Sequence, residues 1–179
     1  IEIVYAGGVF VLKFEGENKV FICTSIDGIS WKLVKVEDFP GFFCFSGIVG
    51  GPLGFVYKGE GSRLYYSPSG NDWAEVTLPE WPGGEVDHTS EGFARVLYVA
   101  SSFYGDMFIA LPYRGEYALL GTQGKEGITW SWINLNISFS GMPVGSQNIR
   151  YISCVGKKII IDGQKTEDQG QDLGFRAQL

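Results

Sequence analysis

The chain has 179 residues, 26 of them glycine, with 15% aromatic and only 19% charged residues. Its formal charge of −6 repels a phosphate backbone, so no duplex binding is expected at physiological salt. No apolar run reaches the ~20 residues a helix needs to span a bilayer. Three scattered cysteines, Cys23, Cys44 and Cys154, make neither a disulfide framework nor a zinc site; each lies in an apolar run and reads as a buried free thiol.

The chain opens inside a strand-like run, "IEIVYAGG", without Met and without a basic segment leading into an apolar one. It therefore carries no signal peptide there, and the abrupt start reads as part of a longer protein. Alternating apolar residues place strands at roughly 2–6, 9–14, 19–24 and 31–36. A second set falls at roughly 43–49, 53–58, 62–67 and 73–78, and a third at roughly 95–101, 106–111, 116–121 and 130–135. A fourth begins at roughly 149–155 and 158–162. No window combines a 3.6-residue apolar period with helix caps, so the class is all-β. The repeat units run roughly 1–40, 41–92 and 93–146, with a partial unit at 147–179.

Between the third and fourth strands of the first unit lies "TSIDGISW", and related spacings recur in the next two units. Ser25, Asp27, Gly28 and Trp31 match Ser67, Ser69, Gly70 and Trp73, and then Gly124, Glu126, Gly127 and Trp130. The tryptophans are 42 and 57 residues apart, close to the period of a propeller blade. In such a turn Asp27 accepts hydrogen bonds from nearby backbone N–H groups, and the Ser25 hydroxyl closes the network. Gly28 supplies a positive φ, while Trp31 folds its apolar face over the turn and into the gap between sheets.

The S-x-D-G-x-x-W pattern resembles the Asp-box, or BNR repeat, of sialidase-like β-propellers. The first copy is complete, the second has Ser69 in place of Asp, and the third has Gly124 and Glu126 in place of Ser and Asp. The resemblance implies a β-propeller of four-stranded antiparallel blades with Asp-box turns, about three and a half blades in this chain. Further sequence at either end, a closed four-bladed ring or pairing with another chain would each cover the end blades. A portion of a longer propeller is the first of these expectations and closure by another copy the second.

Sialidases of this family hold a substrate carboxylate with three arginines and use a Tyr/Glu pair and an acidic Asp, a set implied by the resemblance alone. Of Arg63, Arg95, Arg114, Arg150 and Arg176, none precedes the first box in the family's manner, although Arg95 and Arg150 open successive inner strands. Glu85, Asp87 and Glu91 share the connector 79–94 with the single histidine, His88, which has no second His or Cys to complete a metal shell. Asn136 begins an N-x-S sequon, which has meaning only in a secreted eukaryotic protein. No catalytic residue, metal or cofactor is assigned, and without a recognisable arginine clamp or Tyr/Glu pair the reading leans away from an enzyme.

The expectation is a structural, assembly or binding platform, as in degenerate members from phage tails and other surface assemblies. A virion or cell-surface location follows from the same resemblance. The alternative is a fragment of a sialidase-like hydrolase or a carbohydrate-binding propeller. Partners are proteins or further copies of the chain, with glycan as the other candidate and no membrane insertion. In a blade meander, the connectors between units emerge opposite the box turns, so docking is expected on those connectors. The candidates there are Trp81, His88, Phe139 and Met142, with Tyr113 and Arg114 as neighbours on the same face. Trp81 has a second reading, in which it folds back over the rim of the propeller.

Overall fold

Short runs apolar on both faces build the first sheet as well as the ones behind it. The computed structural model describes residues 1–38, 47–59, 61–82, 92–112, 116–125, 127–135, 138–139, 142–143, 149–155, 158–166 and 172–178. Strands β1 (Glu2–Ala6), β2 (Val9–Gly16), β3 (Lys19–Ser25) and β4 (Lys32–Asp38) form the first antiparallel meander. The second sheet is β5 (Ile48–Gly51), β6 (Gly54–Lys58), β7 (Leu64–Ser67) and β8 (Ala74–Glu75). The third is β9 (Phe93–Val99), β10 (Met107–Pro112), β11 (Tyr117–Gly124) and β12 (Gly127–Asn134). A small hairpin, β13 (Ser138–Phe139) and β14 (Met142–Pro143), precedes a three-stranded sheet of β15 (Ile149–Val155), β16 (Lys158–Thr166) and β17 (Asp172–Gln178).

The class is therefore all-β, with every sheet antiparallel and ordered as the chain runs. Two segments depart from expectation. The fourth sheet holds a third strand, β17, and the connector after β12 contains the β13–β14 hairpin. In "DLGFRAQ" a glycine and an arginine interrupt the apolar alternation, which hides the strand. Its pairing with β16 over seven residues supplies what local pattern does not.

Neighbouring sheets pack face to face, and among the described residues three cores lie between them. Val11, Val20 and Ile22 of the first sheet meet Ile48, Phe55 and Tyr57 of the second. On the other face of the second sheet, Val56 and Leu64 meet Phe93, Val96, Phe108 and Ala110 of the third. Met107, Ile109 and Leu111 then meet Ile149 and Ile161 of the fourth. Successive residues of β10 thus serve different cores, which is why all six of its residues are buried. The first strands lie side by side as well: β1 adjoins β5, β5 adjoins β9, and β9 adjoins β15.

Candidate functional site

The turn after β3 is held by its own side chains. Asp27 Oδ1 accepts the N–H groups of Ile29 and Ser30, each at 2.8 Å, and the Ser25 hydroxyl at 2.9 Å. Ser25 Oγ in turn accepts Gly28 N–H at 2.9 Å, and Gly28 sits at φ 72°. The N–H groups of Ser30 and Ile29, followed by the Ser25 hydroxyl, hold the exposed Asp27 carboxyl down at about 2. A carboxyl depressed in the fold adds stability above its unfolded value of about 4, and that contribution is lost as pH falls toward 2. Thermal melts of D27N should lie below the native protein at neutral pH and converge with it near pH 2. A constant gap between the two curves from neutral to acid would refute this role for the charge.

The second turn repeats the plan with fewer bonds. Ser67 Oγ accepts Gly70 N–H at 2.8 Å, and Ser69 Oγ takes the Asn71 N–H at 3.3 Å. Trp73 Nε1 donates to Gly70 O at 2.8 Å, as Trp31 Nε1 donates to Gly28 O at 3.2 Å. The two tryptophans differ in cover. Trp73 packs edge-on against Tyr57 at 5.0 Å, whereas Trp31 remains 37% exposed over its turn and does not enter a gap between sheets. Thr24 of β3 donates to Asn71 Oδ1 at 3.1 Å and so links the two turns.

The third copy is built differently. Gly124 pairs directly with Gly127, so β11 and β12 close in a two-residue hairpin, and Trp130 sits within β12 opposite Gly121. Gly124 has no hydroxyl to hold a longer loop open, and the ladder runs on to the turn. Trp130 is therefore a sheet residue, stacked at 6.4 Å on Phe108, and not the counterpart of Trp31 and Trp73. Glu126 lies outside the described residues.

A second polar cluster was not foreseen from sequence. Glu37, near the end of β4, accepts the hydroxyls of Tyr57 at 2.7 Å and Tyr65 at 2.5 Å, with Arg63 Nη1 3.6 Å away. Burial, then the bond to Glu37, pushes the Tyr57 hydroxyl far above its ordinary range and Tyr65 up to about 12. Both phenols thus stay protonated as donors to the carboxylate. Lys35 Nζ lies 4.1 Å from the centroid of the Tyr65 ring. The cluster ties the first sheet to the second. A glutamate near a strand end, next to Asp38, reads as solvated, and no local signal marks it as a cross-sheet tie.

Trp81 packs edge-on against Trp132 at 4.9 Å and Tyr117 at 5.1 Å, and Phe93 stacks on Trp132 at 6.2 Å. Trp132 Nε1 donates to Pro79 O at 3.0 Å, which holds the connector against the third sheet. Of the two readings of Trp81, the structure displays the fold-back, here onto the third sheet. W81A should accordingly lower the melting temperature by several degrees, since half-buried aromatic pairs contribute about 0.5–1.5 kcal/mol beyond their burial. An unchanged melt would show the packing to be incidental.

His88, Tyr113 and Arg114 lie outside the described residues, as do Glu85, Asp87, Glu91, Asn136 and Cys44. Phe139 and Met142 are register partners in the β13–β14 ladder. Arg95 is exposed on β9, while Arg150 belongs to β15 and Arg176 to β17. Cys23 and Cys154 are free and half-buried, and burial raises the Cys23 thiol. Among the described residues no group of three or more His, Cys, Asp or Glu side chains gathers, and no helix is long and apolar enough to cross a membrane.

An open groove of about 500 Å³ runs between the outer parts of the second and third sheets. Tyr66, Glu75, Thr77, Leu78, Thr129 and Trp130 are among the residues that line it. Comparison with protein-family models, curated proteins and solved structures finds no match to this chain.

Proposed function

We propose that the chain is a non-enzymatic platform made of propeller-type blades with Asp-box turns, serving assembly or binding in a virion, tail or cell-surface setting. One observation carries this reading. Each interior sheet is apolar on both faces, and the first strands adjoin in chain order, as blades do around an axis. The self-contained turn of Ser25, Asp27, Gly28 and Trp31 supports the Asp-box part. Its polar groups are occupied with one another and stiffen a hairpin.

Among the described residues Glu37 and Tyr57 form a Tyr/Glu pair, yet both carboxylate oxygens are engaged by tyrosines and Tyr57 is fully buried. A fluorogenic sialoside should therefore be turned over at the buffer rate. Turnover that disappears in E37Q would overturn the platform reading in favour of a hydrolase.

A second reading, glycan binding, is favoured by the groove beside Trp130. There an aromatic face adjoins Glu75, Thr77 and Thr129, a mixture suited to a sugar's apolar face and hydroxyls. Binding on a glycan array that is lost in W130A would support it.

A further inference from the structure

The first sheet has one face in a core and one face bare. Ladder register puts Ile3, Leu12, Cys23 and Leu33 in one row across all four strands. Phe14, Phe21 and Val36 make a second row, and Tyr5 and Phe10 a third that ends at Ser25. Tyr5 is 60% exposed, Ile3 55%, Leu33 52% and Val36 45%. Phe14 and Phe21 stack at 4.8 Å. At one end of this face Lys19 and Asp38 neutralise each other at 2.9 Å.

The interior sheets show what such a face is for. Phe10 pairs with Ser25 and lies beneath Gly28; Phe55 pairs with Ser67 and lies beneath Gly70. Phe10 and Phe55 are thus equivalent positions in two successive sheets. Phe55 is 2% exposed because its face is covered by the preceding sheet. The Tyr98–Phe108 pair of the third sheet, like Tyr5–Phe10 a β-ladder pair, likewise faces the preceding sheet. The bare face of the first sheet is therefore a receiving face, shaped for the trailing face of a sheet of the same kind.

On β15 of the fourth sheet two large apolar side chains are bare as well. Ile152 and Cys154 of β15 pack toward the third sheet, and by alternation Tyr151 and Val155 point away, 70% and 62% exposed. We propose that the first sheet of one copy receives the fourth sheet of a second copy, so that two chains extend each other's stack. Four strands about 4.8 Å apart and five to eight residues long at about 3.3 Å each cover roughly 430 Å² in plan. A face-to-face pair buries on the order of 1,000 Å² at each junction, where specific interfaces begin. Two such junctions related by a two-fold axis double that area and leave neither face in water. The proposal rests on the stacked-sheet part of the platform reading and not on its lack of catalysis.

Light scattering coupled to size exclusion on the 179-residue chain tests it. The expected species has twice the 19.7 kDa mass of one chain. I3K and V155K, at exposed positions on the two faces, should each yield monomers with the native circular dichroism spectrum. L33K and Y151K serve as second variants if either of the first fails to fold. A monomeric native chain would overturn the proposal, as would native-like pairing in both variants. Loss of pairing in I3K alone would assign the contact to two first sheets and also overturn it. Sialoside turnover by a chain that pairs as expected would instead sink the non-enzymatic reading and leave the pairing intact.

Discussion

G70A is expected to lower the melting temperature by roughly 5–15 °C, corresponding to about 2–5 kcal/mol for a chain of this size. Gly70 sits at φ 81°, which costs an L-residue about 1–2 kcal/mol. A Cβ there would also lie 2.8 Å from Val11 Cγ2 and 3.4 Å from the Phe55 ring, inside the core between the first two sheets. Gly28 separates the two contributions. Its φ of 72° is similar, but the nearest atom to a Cβ is Phe10 Cε2 at 3.7 Å, on the uncovered side. G28A should therefore lose only the backbone part, about 1–2 kcal/mol, and G28V somewhat more because a β-branched side chain resists positive φ. Equal melts for G28A and G70A would show that the second turn is not wedged against the core as described.

E37L should cost about 2–4 kcal/mol, since it strands the fully buried hydroxyl of Tyr57 and the partly shielded one of Tyr65. The partner's removal is the informative step. In an E37L/Y57F chain the orphaned hydroxyl is gone, and a substantial part of the loss should return. Arg63 is half exposed and can find water, so it adds little to the cycle. Chemical denaturation of the native chain, both single variants and the double gives the coupling directly. Strictly additive losses would mean that Glu37 and Tyr57 do not act together across the two sheets.

Much of the local architecture was legible because its causes are local. In "TSIDGISW" the acceptor, the hydroxyl and the positive-φ glycine lie within a few residues of the groups they bind. Strand positions in the first three sheets follow from the short apolar runs that each segment carries by itself. The third box misled for the same reason. Gly127 and Trp130 keep the spacing of the first two turns, but with Gly124 in place of Ser nothing local opens the loop, and the β11–β12 ladder closes it to two residues. Trp81 had two readings in sequence because a tryptophan in a polar connector can face a partner or its own rim. Contact with Trp132 and Tyr117 is made across a long stretch of chain that no local pattern describes.

The sequence by itself determined an all-β chain of four-stranded meanders and the self-bonded turn at Ser25–Trp31, because side-chain alternation and turn chemistry act over a few residues. Only the tertiary structure decided which faces are covered. Phe10 and Phe55 follow the same local grammar, yet Phe55 is buried by a neighbouring sheet and the face of Phe10 is bare. It likewise decided that Glu37 joins two tyrosines of another sheet, and that "DLGFRAQ" pairs as β17. The physical reason is common to all three: burial and cross-sheet hydrogen bonding depend on what arrives from elsewhere in the chain, and a period of two residues records that a face is apolar without recording what covers it.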